Sequence, residues 1–271
     1  MKVFVIDVAK CNGCYSCQLV CKDEHVANDW TPIAQPQPDT GHFWLKMNET
    51  VHGQVPKVKL SYIPQPCMHC DNPACMQPAG DAVYKRTDGL VIIDPAKAIG
   101  KRELLEACPY GAIYWNESLQ LPQKCTGCAH LVDQGKLPRC VDACGVEAIQ
   151  FGEEADFKEL IDKAEVIQAE AGLKPRVYYL NLPKFFLAGD VYDPAIDEIL
   201  EAATVTLTNL ASGQSQQQTT DDFGDFWFKR LEPGSYSLTI QKDGYEPALI
   251  QEIDLAKSLN IGSITLTVSK K

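Results

Sequence analysis

The chain has 271 residues, with 25 Lys and Arg against 36 Asp and Glu, a formal net charge of −11 at pH 7. Such a balance argues against nucleic acid as a partner, because an acidic surface repels a polyanion, and thiolate ligands would add to the negative charge. No apolar run approaches the roughly 20 residues that cross a bilayer, so a membrane span is not expected.

The opening Met1-Lys2-Val3-Phe4-Val5-Ile6-Asp7 reads as a short strand. It has an early acid and no small-residue cleavage site, unlike a secretion signal. Next comes the first of three cysteine groups, Cys11-x2-Cys14-x2-Cys17-x3-Cys21, in which the proline that usually follows the fourth cysteine is replaced by Lys22. An insertion rich in Pro, His and aromatics, about 24–66, separates it from the second group, Cys67-x2-Cys70-x4-Cys75. Val83-Tyr84-Lys85-Arg86 and Leu90-Val91-Ile92-Ile93 flank Asp88-Gly89, a pair that favours a tight hairpin turn with positive φ. Cys108-Pro109 stands alone before a second expected strand, Ala112-Ile113-Tyr114-Trp115, and the third group is Cys125-x2-Cys128-x11-Cys140-x3-Cys144.

The periodicity then predicts one helix over Glu153 to Ala171, with Phe157, Leu160, Ile161, Ala164 and Ile167 on one face and Gly172 at its end. Val177-Tyr178-Tyr179-Leu180 reads as a strand or extended connector. From about Phe186 the pattern is all-β, with alternation in Thr204-Val205-Thr206-Leu207-Thr208, Phe226-Trp227-Phe228, Tyr236-Ser237-Leu238-Thr239-Ile240 and Ile264-Thr265-Leu266-Thr267-Val268. Gly213, Gly224, Gly234 and Gly244 mark turns. Phe226, Phe228 and Tyr236 are read as core residues rather than a ligand platform. The divisions are 1–152, with the insertion inside it, a helix and connector over 153–185, and a β module over 186–271.

All twelve cysteines lie between Cys11 and Cys144, and their spacing points to three cubane 4Fe-4S clusters. The first group has ferredoxin spacing, in which three close cysteines hold one cluster and the fourth completes another. Pairing the groups by that crossing rule gives Cys11, Cys14, Cys17 and Cys144 for the first cluster. It gives Cys125, Cys128, Cys140 and Cys21 for the second, and Cys67, Cys70, Cys75 and Cys108 for the third. Ala98, Lys101 and Leu104 occupy the positions where a triplet partnering Cys108 would stand, as if a fourth cluster had been lost.

Structural zinc fits less well, because closed zinc sites rarely take a C-x2-C-x2-C-x3-C run. A disulfide framework belongs to small secreted domains, and C-x2-C units are too tight to bridge without strain. His25, His42, His52, His69 and His130 are scattered and read as surface or interface residues; with every cysteine in a quartet, no Rieske centre can form. No Gly-rich phosphate loop precedes a helix. A stand-alone multi-cluster ferredoxin is the competing reading, disfavoured because a diffusing carrier does not need the added insertion and β module.

The segments Cys67-Met68-His69-Cys70-Asp71-Asn72-Pro73-Ala74-Cys75, Asp88-Gly89-Leu90-Val91, Cys108-Pro109-Tyr110-Gly111-Ala112 and Lys124-Cys125-Thr126-Gly127-Cys128 resemble the iron–sulfur subunits of the dimethyl sulfoxide reductase-type molybdopterin oxidoreductases. Thr220 to Phe226, Leu231 to Tyr236 and Asp243-Gly244-Tyr245 resemble a transthyretin-like or collagen-binding-B-type sandwich. Both together resemble the transhydroxylase branch of the family, including Lys174-Pro175-Arg176-Val177-Tyr178-Tyr179. The resemblance implies an α+β fold: a ferredoxin-like double repeat binding cubane clusters, followed by the small all-β sandwich. It implies a heterodimer whose large subunit carries molybdenum on two molybdopterin guanine dinucleotides and acts on polyhydroxybenzenes, with no catalytic residue on this chain. An electron-wire subunit of a reductive catechol dehydroxylase is the alternative within the family. The absent signal and oxygen-sensitive clusters favour the cytoplasm, the other route being export of the folded pair by a twin-arginine signal on the partner.

Overall fold

The structure, a computed structural model, describes residues 1–269 and contains two compact units. The first comprises Met1–Glu49 with Tyr62–Leu182, and the second comprises Thr50–Ser61 with the chain from Pro183 onward. No described helix is long and apolar enough to cross a membrane.

In the first unit, β1 (Lys2–Asp7) is followed by α1 (Ser16–Val26) and by the hairpin β2 (Lys46–Gln54) and β3 (Lys57–Gln65). The insertion thus carries regular structure, and its stretch Thr50–Ser61 is counted with the second unit. There follow α2 (Met76–Ala79), β4 (Val83–Lys85), β5 (Val91–Ile93), β6 (Tyr114–Asn116) and β7 (Leu121–Gln123). Two single turns, α3 (Ala129–Val132) and α4 (Arg139–Asp142), precede β8 (Ile149–Glu153), α5 (Lys158–Ile161) and β9 (Val177–Leu180).

β1 is the centre of a three-stranded sheet, antiparallel to β8 and parallel to β9. Val3, Phe4, Val5 and Ile6 are all buried, as their unbroken apolar run requires of a strand covered on both faces. One core gathers Phe4, Ile6, Trp44, Met68, Leu90 and Tyr179 around the cysteines, and a second gathers Val83, Val91, Ile93 and Ile113. Ala98 and Leu104 are fully buried in that second core, filling with hydrocarbon the positions noted for a lost triplet. The β4–β5 turn departs in detail from the expected one. Arg86 N–H donates to Leu90 O at 2.8 Å, closing a three-residue loop in which Gly89 takes the positive φ, 95°.

The helix expected over 153–171 does not form. Glu153 ends β8, a 3-10 turn covers Glu154–Phe157, and α5 lasts one turn. Glu165 then exchanges both backbone hydrogen bonds with Tyr179 at 2.8 Å, which demands extended backbone there. Pairing with β9 outweighs the helical periodicity, helped by β-branched Val166 and Ile167, which favour strands. Gly172 has φ 67° and ends only a 3-10 turn, Ala169–Ala171.

The second unit is a β sandwich. One sheet is formed by β10 (Phe185–Asp193), β11 (Glu198–Ile199), β14 (Asp225–Leu231) and β17 (Leu259–Thr265), the other by β12 (Thr204–Asn209), β13 (Ser215–Thr219), β15 (Gly234–Gln241) and β16 (Ala248–Leu255). Val205, Leu207, Leu238 and Ile240 point inward at every second position and meet Leu187, Val191, Phe226 and Phe228 from the first sheet. Phe226, Phe228 and Tyr236 are core residues, as their pattern implied. The last strand, expected over 264–268, starts at Leu259, because parallel pairing with β10 recruits Leu259 and Asn260 across an irregularity at Gly262, φ 75°.

Candidate iron-sulfur centres

The twelve cysteines, all with free thiols, fall in the first unit in three neighbourhoods. Cys11, Cys14, Cys17 and Cys144 line one pocket with Asn12, Ser16, Met47 and Ile149. The 11–17 loop reaches it through Gly13 at φ 71°, where a Cβ would meet the Tyr62 ring at 2.6 Å, so glycine is the residue that fits. Cys67, Cys70, Cys75 and Cys108 line a second pocket, with Met68, Ile113, Lys124 and Leu173. Neither lining contains a carboxylate.

Cys21, Cys125, Cys128 and Cys140 form the third neighbourhood, all buried. Burial first, then the charges of Cys128, Cys21 and Cys125, holds the Cys140 thiol well above its ordinary value. Cys17 and Cys21 sit one helical turn apart on α1, which packs against α4 carrying Cys140. Cys17 lies in the first pocket while Cys21 faces Cys125 and Cys128, so α1 stands between two neighbourhoods.

Burial, with neighbouring thiolates adding to it, pushes Cys17, Cys70 and Cys128 up to about 12 and Cys75 up to about 11. Cys14, the exposed one, is lowered instead by hydrogen bonds from the Ser16 hydroxyl and N–H. Since the thiolate is the metal-binding form, these groups ionise together only when a cationic centre compensates them. Soft, apolar, all-thiol pockets fit iron–sulfur clusters. Among the described residues, no three Cys, His, Asp or Glu side chains are arranged to hold a single metal ion. A cubane takes each thiolate at a different iron, so its four sulfurs need not converge on one point.

Backbone N–H groups donate to several of these sulfurs: His69 to Cys67 at 3.4 Å, Gly127 to Cys125 at 3.3 Å and Ala148 to Cys144 at 3.2 Å. The histidines correct the sequence reading. His25, His69 and His130 are buried, not surface residues, while His42 and His52 are half-buried. His69 and His25 lie against the sulfurs of Cys125 and Cys128, and His130 faces Glu24 at 3.0 Å and stacks on Trp30. A histidine inside Cys67-x2-Cys70 was the available signal, since a residue between two ligands is carried inward with them. Lys124, also buried, donates to Val91 O and to Cys125 O, the latter at 3.0 Å. Arg176, 2 % exposed, ties Lys2 O, Asp71 and Glu154 together behind the Cys67–Cys75 loop.

The 4Fe-4S dicluster domain family matches residues 58–154, and the carboxypeptidase regulatory-like domain family matches residues 187–270. The pyrogallol hydroxytransferase small subunit of Pelobacter acidigallici is 41% identical over 274 residues, covering 97% of this chain and 98% of its own length. An anaerobic dimethyl sulfoxide reductase subunit of Escherichia coli (strain K12) is 37% identical over 178 residues, covering 65% of this chain and 83% of its own length. The chain belongs to the family of iron–sulfur subunits of the dimethyl sulfoxide reductase-type molybdopterin oxidoreductases. A third member, the arsenate respiratory reductase iron–sulfur subunit of Shewanella sp. (strain ANA-3), is 30% identical over 233 residues, with 65% of this chain and 94% of its own length covered. As a member of this family, the chain is an electron-transfer subunit holding 4Fe-4S clusters within an oxidoreductase complex. The buried histidines and Lys124 thus belong to the surroundings of electron carriers.

Proposed function

We propose that this chain is the non-catalytic small subunit of a pyrogallol hydroxytransferase, holding three 4Fe-4S clusters beside a large subunit that carries molybdenum on two molybdopterin guanine dinucleotides. The observation that carries this reading is the 41% identity to the Pelobacter acidigallici subunit along 97% of the chain, β module included. The ligand sets are Cys11, Cys14, Cys17 and Cys144; Cys125, Cys128, Cys140 and Cys21; and Cys67, Cys70, Cys75 and Cys108. Their support is that each quartet shares a pocket or a set of mutually interacting thiols.

When bound, the clusters supply one-electron exchange with the partner's metal. The chain's residues do the rest. Apolar packing excludes water, backbone N–H groups hold the sulfurs, and α1 carries Cys17 of one quartet and Cys21 of another. Transfer of a hydroxyl between polyhydroxybenzenes is redox-neutral overall, so clusters held by these cysteines would buffer the partner's metal rather than carry a continuous current. The ferredoxin-like double repeat is supported by the two short hairpins, β4–β5 and β6–β7, among the cysteine loops. The division into 1–152, 153–185 and 186–271 keeps every proposed ligand in the first part. The cytoplasm is the proposed location.

The test is an anaerobic assay of the natively co-purified complex with pyrogallol and a tetrahydroxybenzene co-substrate, without external electron donor. Phloroglucinol as product is expected. Dehydroxylated product appearing only with reduced viologen would make the chain the wire of a reductase, and a monomeric chain with no large partner would make it a ferredoxin.

A further inference from the structure

Among the described residues, two imidazoles lie against cysteine sulfur, and both sulfurs belong to one quartet. His69 Nε2 is 3.8 Å from Cys125 Sγ, and His25 Nε2 is 3.9 Å from Cys128 Sγ. For His69 the polarity of the contact is fixed by a third group. The backbone N–H of Val91 donates to His69 Nδ1 at 3.0 Å. Nδ1 therefore presents its lone pair, and the proton of the neutral ring sits on Nε2, where it can only be donated. No such constraint acts on His25, whose buried Nδ1 has no partner.

The rest of the surroundings hold the ring in place. His69 is 1 % exposed and lies nearly parallel to the Phe4 ring, with 17° between the planes. Its backbone takes φ 44°, a left-handed conformation uncommon outside glycine. That turn lets one residue donate its backbone N–H to Cys67 and its ring N–H to Cys125, the sulfurs of two different quartets. Opposite, Gly127 leaves the space open, since a Cβ there would lie 2.7 Å from Leu90 Cδ2 and 3.5 Å from His69 Nε2.

We propose that His69 is a positioning residue that raises the reduction potential of the cluster held by Cys125, by donating its Nε2 proton to that sulfur. On reduction, one electron is added and no proton moves; the extra negative charge is shared by the thiolate sulfurs, so a fixed N–H dipole favours the reduced state over the oxidised one. Exclusion of water strengthens the effect. The inference rests on the proposed use of Cys125 as a ligand, and on no other part of the ligand division.

The experiment is an anaerobic redox titration of the intact complex followed by electron paramagnetic resonance. The signal lost or altered in Cys125→Ser serves as reporter. His69→Leu is expected to lower the reduced-to-oxidised ratio of the reporter about tenfold at fixed poise, a midpoint shift of about 59 mV to more negative values. The other signals stay in place, and His69→Gln, whose amide can donate to the same sulfur, recovers part of the shift. An unmoved reporter, or an equal shift of every signal, overturns the proposal. Should both variants lose this cluster, hyperfine spectroscopy of His25→Gln protein labelled with 15N-histidine decides: an exchangeable proton on 15N coupled to the reporter supports the proposal, and its absence overturns it. Iron analysis of the unsubstituted complex separates the two readings, because a count far from about twelve rejects the ligand division without altering how the reporter responds to His69.

Discussion

Replacing Gly127 by alanine should loosen the Cys125–Cys128 loop in a way whose size follows from two separable costs. Gly127 has φ 64°, and a Cβ there would meet Leu90 Cδ2 at 2.7 Å and Cδ1 at 3.1 Å, with Leu90 itself buried at 1 % exposure. Gly135 has a similar φ, 71°, but nothing within 4 Å of the added carbon. Gly135→Ala thus carries only the left-handed backbone cost, about 1–2 kcal/mol. Gly127→Ala adds overpacking of about 1–3 kcal/mol, for a sum of roughly 2–5 kcal/mol. In a unit of this size each kcal/mol lowers the transition by about 2–4 °C, giving roughly 2–8 °C for Gly135→Ala and 4–20 °C for Gly127→Ala. The assay is anaerobic heating at one scan rate, following loss of the visible iron–sulfur absorption. Gly127→Ala should also lower iron content, because the backbone shift that relieves the clash with Leu90 moves the N–H of residue 127 that donates to Cys125 Sγ. Equal losses in the two variants would refute the argument from Leu90 packing.

Three further outcomes are expected. Cys108→Ala takes one ligand from the Cys67 group, so iron should drop from about twelve toward about eight per chain while the other two sets of signals persist; retention of all the iron would show that Cys108 is not a ligand. In the second unit, Lys57 of β3 is 6 % exposed and pairs with Asp225 of the β sandwich at 2.5 Å. Because that carboxylate is itself only partly buried, Lys57→Met should cost about 2–3 kcal/mol, below the usual range for a fully buried pair, with iron unchanged; an unmoved unfolding transition would contradict it. Tyr179 is fully buried and donates to Pro64 O at 3.0 Å, so Tyr179→Phe should cost about 1–3 kcal/mol. Burial holds the Tyr179 hydroxyl well above its ordinary 10, so its contribution is complete below that pH and is lost as pH rises toward the folded value. Alkaline unfolding followed by circular dichroism should therefore decline less steeply in Tyr179→Phe, and identical slopes would rule this out.

The close cysteine triplets were legible because their spacing is a local property of one loop, whereas the approach of Cys144, Cys108 and Cys21 from distant parts of the chain was legible only through the crossing pattern of ferredoxin repeats. Strands β1, β5, β12 and β15 were legible because each buries a continuous or alternating apolar set. The 153–171 helix misled because its apolar spacing serves isolated contacts, Ile167 on the cluster core among them, while the Glu165–Tyr179 pairing is a long-range bond with no sequence mark. Strand β13, Ser215–Thr219, is a largely exposed polar segment, so nothing in its composition signalled it. The buried histidines escaped notice because a single polar residue shows no period, and only the fold brings His25 and His69 to sulfurs that lie 103 and 56 residues away.

Anaerobic determination of iron, acid-labile sulfide and zinc on the purified complex tests the central claim most directly. About twelve iron and twelve sulfide per small subunit, corrected for any cluster on the partner, is the predicted result. About eight iron, or zinc in stoichiometric amount, would contradict the three-cluster account.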